Sequence, residues 1–344
     1  MRQRDARQAS IGVVDATEST TTGVLSGLLG VLLASLMVVA AVSVAGAENH
    51  PSRPIRVLIP AGPGGPTDIG ARLAAEALSR VLDSPVYVEN RNGRVNVIES
   101  YLAGEADGYT ILVATTGSLT IIPAARQVPY DVEKDLVPLG TVWRTASALE
   151  VRSGLGVRTL AEFIAVAKAR PGTLTIGSAG VGTPAHLTIE LLKREAGIDV
   201  IHVPFRSAGE SLTAVIGGQV DALFGDVRVV ASQLKAGTIR ALAVTGPRRV
   251  DAFPDVPTMS EAGLPAVASE PWFGFVVSAK TPPALVKRLQ DALAATHDDP
   301  VYKARLAQVG GSAGERGPEA FARLIKADTA RWGATVKAAG IRLE

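Results

Sequence analysis

Apolar residues along this chain alternate between two rhythms. Short runs of β-branched and aliphatic residues, such as 55–59 (Ile55, Val57, Leu58, Ile59), read as strands. They are followed by positions recurring at helical spacing, here Ile69, Leu73, Ala77, Leu78 and Val81. Segments 86–89 and 110–114 continue as strands, the latter entered through an Asp107-Gly108 turn. This β-α-β alternation predicts a parallel sheet covered by helices on both faces. A second series starts near Ala148. It places helices at 160–167, ending at Pro171-Gly172, and at 184–197, 209–216 and 229–236. Its strands fall at 174–176, 200–203, 221–224 and 239–244. The tail has one connecting strand, 273–277, then helices at 283–296, 301–306 and 318–336, which return to cover the first lobe. The expectation is therefore two α/β lobes, 48–147 plus 275–344 and 148–274, joined by two crossings with a cleft between them. Ligands of such sheets bind beyond the carboxyl ends of the strands, where helix N-termini point.

The first residues do not belong to that pattern. Arg2, Arg4 and Arg7 precede an uncharged apolar stretch from Ser19 that ends Ala45-Gly46-Ala47. Basic start, apolar middle and small-residue exit describe a secretory signal peptide over 1–47; the alternative is an uncleaved membrane anchor, since the run is long enough to span a bilayer. Export to the periplasm is expected. Of the 344 residues 47% are hydrophobic, enough for a packed core. Lys and Arg number 35 against 33 Asp and Glu, a net charge of +2, which gives no basic field for nucleic acid. There is no cysteine, so thiol catalysis, disulfides, zinc ribbons and iron–sulfur clusters are excluded. No metal or cofactor is expected.

Two glycine-rich loops carry the candidate chemistry. Gly62-Pro63-Gly64-Gly65-Pro66-Thr67-Asp68 joins the first strand to a helix, and Gly177-Ser178-Ala179-Gly180-Val181-Gly182-Thr183-Pro184 does the same in the second series. Each turns unpaired helix N–H groups towards the loop, which suits an anion; each also fits an ordinary strand-to-helix turn, with Thr67 or Asp68 capping. Neither is a phosphate-binding Walker loop, because no Gly-Lys-Ser/Thr follows. Gly180-x-Gly182-x-x-Ala185 matches a dinucleotide fingerprint, but its acidic partner would be Asp199, which precedes its strand instead of ending it. Of the four histidines, His50 and His297 read as surface positions. His186 lies in the first turn after the second loop, where it either touches a ligand or packs. Asp68 and Asp226 form no evident acid–base pair, and no nucleophile elbow is present.

Several short stretches, weak singly and specific in order, make the chain similar to a known family. They include Gly64-Gly65-Pro66-Thr67-Asp68-Ile69, Val88-Glu89-Asn90-Arg91, Asp107-Gly108-Tyr109-Thr110, Gly182-Thr183 with His186-Leu187, and His202-Val203-Pro204-Phe205. The chain resembles the Bug (TctC-like) substrate-binding proteins of tripartite tricarboxylate transporters. That resemblance implies a type II, Venus-flytrap periplasmic-binding-protein fold closing over a small carboxylate. It implies that loop 64–68 (Gly64, Gly65, Thr67, Asp68) and loop 178–183 (Ser178, Gly180, Gly182, Thr183) grip the carboxylate, partly through water. It also places Thr116 and Ser118 on the cleft, with Phe205 and Asp226 at the distal end of the ligand. Two departures bear on substrate identity: Asn92-Gly93-Arg94-Val95-Asn96 replaces a longer glycine-rich loop, and Phe224-Gly225-Asp226 replaces Phe-Asp-Asn.

The function expected is that of an extracytoplasmic solute receptor and not an enzyme, a monomer handing a dicarboxylate, tricarboxylate, acidic amino acid or aromatic acid to membrane permease subunits. The alternatives are an exported enzyme acting on carboxylates and the ligand-sensing module of a sensor kinase.

Overall fold

The computed structural model describes residues 50–342 apart from 228, 229 and 310; the leader expected at 1–47 lies outside the described residues. The first strands and helices follow the sequence rhythm: β1 Ile55–Ile59, α1 Pro66–Leu82, β2 Val86–Asn90, α2 Arg94–Leu102 and β3 Thr110–Thr115. A π-helical turn, Gly117–Ile121, then runs into α3, Ile122–Ala125. Two consecutive strands come next, β4 Leu136–Thr145 and β5 Ser147–Arg152, separated by Ala146 alone. The second series holds α4 Leu160–Ala169, β6 Thr175–Ser178, α5 Pro184–Ala196, β7 Ile201–Pro204 and α6 Ala208–Ile216. It ends with β8 Ala222–Asp226, α7 Ala231–Ala236 and β9 Ile239–Val244. The tail is β10 Trp272–Ser278, α8 Pro283–Thr296, α9 Pro300–Gln308, β11 Gly311–Ser312 and α10 Pro318–Ala338.

These strands form two sheets, ordered β11-β4-β10-β3-β1-β2 and β7-β6-β8-β5-β9. Neither is purely parallel, as the β-α-β rhythm suggested. β1 is parallel to β2 and β3, and β6 to β7 and β8, but β10 is antiparallel to β3 and β4, and β5 to β8 and β9. The reason lies in the crossings. β1, β3, β6 and β8 end at the cleft; β5 and β10 begin there, because each has just arrived from the other sheet, so each must run the opposite way.

Both faces of each sheet are covered. α1, α8 and α9 bury Trp143, Phe275 and Leu293 on one face of the first sheet, and α2 and α10 bury Leu58, Ile98 and Phe321 on the other. A Cβ on Gly70 of α1 would fall 2.1 Å from the Trp143 ring, so this glycine is what lets the helix lie on β4. The second sheet carries one core around Phe163, Ile176 and Leu187 and another around Leu212, Val215 and Ile239. α10 does more than cover the first sheet: its Trp332 and Val336 belong to the Phe163 core. His50 and His297, read as surface residues, are buried. Their Nε2 atoms lie 3.2 Å from Gly108 O and 2.8 Å from Thr141 O, long-range contacts that local polarity does not reveal. Among the described residues no helix is long and apolar enough to cross a membrane, and no cluster of metal-ligating side chains occurs.

Candidate functional site

The loop after β1 begins its helix without a side-chain cap. Gly65 is the N-cap and Pro66 the first helical residue, where a missing N–H costs nothing. Gly64 sits at φ 81°, a region that favours glycine. Its N–H donates to Asp68 Oδ2 at 3.0 Å, so the third helical residue reaches back to fix the turn before the helix. Asn90 Nδ2 donates to Asp68 Oδ1 (3.0 Å), and Arg72 pairs with the same oxygen (3.0 Å). Burial opposes ionisation of this carboxyl, but the bonds from Arg72, Gly64 N–H and Asn90 prevail and hold it below the ordinary aspartate value.

The loop after β6 is the same device with different chemistry. Gly182 lies at φ 75°, Thr183 is the N-cap, Pro184 the first helical residue and His186 the third. The Gly182 N–H donates to His186 Nδ1 at 3.3 Å. Thr183 Oγ1 accepts the His186 N–H (3.3 Å) and donates to Gly180 O (2.7 Å). Gly180 N–H donates to Ser178 Oγ (3.1 Å), which is 2.7 Å from His202 Nε2. The His186 and His202 rings stack at 4.2 Å with an interplanar angle of 21°. Burial lowers both imidazoles. For His202 the neighbouring His186 and Lys193 add to it, bringing the ring to about 4.

The two loops open onto one cleft of about 180 Å³ between the sheets, a size for a small metabolite and below that of drug-sized pockets. Of the residues singled out in the sequence, Thr67, Thr116, Gly182, Thr183 and Asp226 line it. Gly64 faces a neighbouring crevice of about 470 Å³ instead. Gly65 is the cap between them, and Asp68, Ser178, Gly180 and His186 stand behind the loops as braces. Ser118 is fully buried and closes the end of β3, exchanging bonds with Thr115 (Thr115 N–H to Ser118 Oγ 3.1 Å; Ser118 N–H to Thr115 Oγ1 3.0 Å). Phe205 packs on Gly177 and the Leu212 core rather than on the cleft. The Arg94 side chain lies outside the described residues.

Sequence reasoning passed over Thr145 and Ser147, which flank the β4–β5 crossing and line the cleft. Thr145 Oγ1 donates to Asp226 Oδ2 at 2.5 Å, tying the end of β4 to the end of β8. The starts of α1, α5 and α6 converge here, through Thr67, Thr183 and Ala208. Among the described lining residues there is no Lys, Arg or His, and Asp226 is the one charged side chain. The cleft therefore offers a ligand helix starts and hydroxyl-bearing side chains, with the Asp226 carboxyl on one wall and no counter-ion among the described lining residues.

Two sheets with helix starts facing across a crevice, and two strand crossings between them, define a two-lobed solute receptor. Comparison with known proteins gives the family. The sequence profile of the tripartite tricarboxylate transporter family receptor, TctC, matches residues 70–341, and the chain belongs to that family. It is 32% identical over 328 residues to protein BugT of Bordetella pertussis, covering 93% of this chain and 98% of BugT. Among solved structures, Rpa4515 of R. palustris with adipate is similar at 30% identity and a TM-score of 0.79, covering 85% of this chain and 99% of that one. MatC of Rhodopseudomonas palustris with bound malate is similar at 28% identity and a TM-score of 0.75, covering 83% and 99%. The chain is thus a Bug-type periplasmic solute receptor, of a family that binds small carboxylates and works with membrane transporter components.

Proposed function

We propose that this receptor captures a small carboxylate between loops 64–68 and 180–183 and releases it unchanged to membrane permease subunits of a tripartite tricarboxylate transporter. The observation that carries this reading is the convergence of three helix N-termini, from both lobes, on one cleft without a lining cation among the described residues. Each such end favours an anion by about 0.3–1 kcal/mol, and up to about 2 kcal/mol when partly buried. Micromolar affinity needs about 8 kcal/mol. Helix ends alone fall short. Thr67 and Ser147 line the same space, and a hydrogen bond from a hydroxyl to an ionised carboxylate adds about 1.5–3 kcal/mol, whereas the Thr116 and Thr183 hydroxyls already donate to Trp272 O and Gly180 O. Closure of the lobes about the two crossings excludes water and strengthens every one of these bonds.

The adipate and malate bound by the similar R. palustris proteins support a dicarboxylate as the first class to try. Tricarboxylates, acidic amino acids and aromatic acids complete the panel. The signal-like leader at 1–47 fits capture in the periplasm by a monomer, with 48–147 plus 275–344 as one lobe and 148–274 as the other. Thermal unfolding against this panel tests the reading. A ligand at 100 times its dissociation constant stabilises by about 2.7 kcal/mol, and mass spectrometry of the recovered ligand should show the acid intact. A flat panel would sink the receptor reading. A converted acid would favour an exported enzyme, and no permease partner with retained binding would favour a sensor module.

A further inference from the structure

The amides that shape loop 180–183 end on two stacked rings behind the cleft wall. Gly182 N–H ends on His186 Nδ1, and Gly180 N–H ends on Ser178 Oγ, which is bonded to His202 Nε2. We propose that His186 and His202 are positioning residues for capture: as neutral rings they hold loop 180–183 in its gripping shape, and protonation releases it, so that the receptor holds its solute less tightly in acid. The second half of this proposal rests on the reading of the loop as an anion grip.

The chemistry follows from donor and acceptor roles. A neutral imidazole has one ring nitrogen free to accept; an imidazolium has none. Once Nδ1 of His186 carries a proton it faces the Gly182 N–H as donor against donor, at a glycine whose φ of 75° the rest of the turn has to maintain. The Ser178 oxygen can accept from both Gly180 N–H and a His202 Nε2–H, so His202 acts on the latch through its charge beside the His186 ring. Two imidazolium rings 4.2 Å apart also repel each other. The charged groups acting on the pair are few. α5 itself supplies Glu190, which favours the charged form of His186, and Lys193, which disfavours it in both rings. β7 supplies His202, and β6 only the uncharged Ser178. Burial lowers both rings, so at neutral pH the latch is set. The matching brace in the other lobe is a carboxylate and keeps its charge through the range in which the rings take up protons. Acid therefore loosens one loop and not the other.

The loop coupling is read without any ligand, on protein labelled with ¹⁵N at histidine and glycine and titrated by NMR from about pH 7.5 to 4.5. The ring nitrogens of His186 should titrate below the ordinary value of 6.5 and those of His202, brought to about 4, should only begin to move at the acid end, with the Gly182 amide following the His186 ring and the Gly64 amide unmoved. His186→Asn places an oxygen where Nδ1 stood, so the Gly182 amide should keep its neutral-pH position throughout; His186→Ala should displace it already at neutral pH. A His186 titration with no response at Gly182, or a Gly182 amide indifferent to His186→Ala, overturns the proposal, and the wild-type titration decides even if a variant fails to fold.

The consequence for capture is read by calorimetry with adipate and malate as probes at about pH 7.5 and 5.5. Wild type should lose affinity beyond what the titration of the acid itself costs, with about tenfold, one pKa unit of coupling, as the ceiling reached only below both His186 values, while His186→Asn loses only what the titration of the acid costs. Equal losses in both proteins overturn the link to capture. Failure of every carboxylate to bind wild type would instead remove the proposed function, with the ligand-free NMR result standing on its own.

Discussion

Loops 64–68 and 182–186 are the same piece of backbone engineering built with opposite chemistry. In each, a glycine at positive φ precedes an N-cap, a proline opens the helix, and the third helical residue reaches back four positions to accept the glycine N–H. In the first lobe that acceptor is an ionised carboxylate, secured by Arg72 and Asn90. In the second it is a neutral imidazole, secured by a second imidazole and a hydroxyl. A carboxylate accepts over the whole range in which it stays charged; an imidazole accepts only while uncharged. The comparison teaches that one geometry can be made acid-proof or acid-sensitive by a single choice of acceptor.

The largest break comes from removing the carboxylate. Asp68→Ala leaves the Gly64 N–H without its acceptor, the Asn90 amide with Ala61 O alone and Arg72 without its ion pair. A fully buried abandoned group would cost about 1–3 kcal/mol, but Gly64 is exposed and Asn90 half-buried, so water recovers part of that loss. Arg72 is half exposed, so its pair adds little. The variant should lose about 1–2 kcal/mol in denaturant unfolding and, since loop 64–68 would no longer be set, much of its affinity for any carboxylate it binds. Unchanged affinity in a folded Asp68→Ala protein would show that this loop does not grip the ligand.

That brace also marks how far the sequence could be read. Gly64, Pro66, Gly182 and Pro184 punctuate their helix starts so strongly that both loops and most elements were legible, often to within a residue or two. The reach of Asp68 and His186 back to the glycines was not, because it is a matter of side-chain direction within a turn and not of spacing. β4 and β5 escaped notice for another reason. β4 contains Pro138 and Gly140, and its pairing with β10 shifts register twice, so no clean alternation survives. With the crossing unseen, Thr145 and Ser147 were unseen as cleft residues. The family resemblance implied Phe205 at the distal end of the ligand, but the side chain turns towards Gly177 and the Leu212 core.

A smaller effect separates the two N-caps. Gly65 offers no side chain, whereas Thr183 Oγ1 both accepts from His186 N–H and donates to Gly180 O. Thr183→Ala should therefore cost about 0.5–2 kcal/mol, the usual range for a lost cap, with the midpoint of denaturant unfolding lowered and its slope unchanged. An effect well below that range would mean that Pro184 and the histidine pair set the loop unaided.

The pH dependence of stability sharpens the contrast further. His186 and His202 have folded values depressed below the ordinary 6.5, His202 to about 4. Below 6.5 the unfolded chain binds protons that the folded chain does not, so stability falls as pH falls from about 6.5 to about 4. Asp68 acts in the same direction but only in stronger acid, as its carboxylate is held below the ordinary value of 3.8. Denaturant midpoints measured at half-unit steps should decline first in the histidine window, and a protein carrying both His186→Asn and His202→Gln should decline less there, the remaining slope belonging to His50 and His297, whose rings burial also lowers. A decline in that protein matching wild type would assign the effect elsewhere.

The smallest expected change concerns Glu150, which makes the opposite case. It lies on β5, fully buried, and among the described residues neither carboxyl oxygen has a hydrogen-bond partner. A Cβ on Gly225 would fall 2.4 Å from its Oε2, so the glycine that departs from the Phe-Asp-Asn pattern is what makes room for this carboxyl beside the cleft wall. Burial, and then the charge of Asp226, raise Glu150 well above its ordinary value. A carboxyl raised on folding contributes stability that is complete below about 4.5 and is lost as pH climbs through the folded value. Glu150→Gln has the same shape and cannot ionise. Its stability relative to wild type should therefore grow as pH rises above about 4.5, in denaturant unfolding at each pH, and level off only once the folded carboxyl has ionised, whereas the histidine variants separate from wild type as pH falls. A Glu150→Gln difference that stays constant with pH would mean that folding does not raise this carboxyl, leaving the buried histidines as the groups whose titration the fold feels.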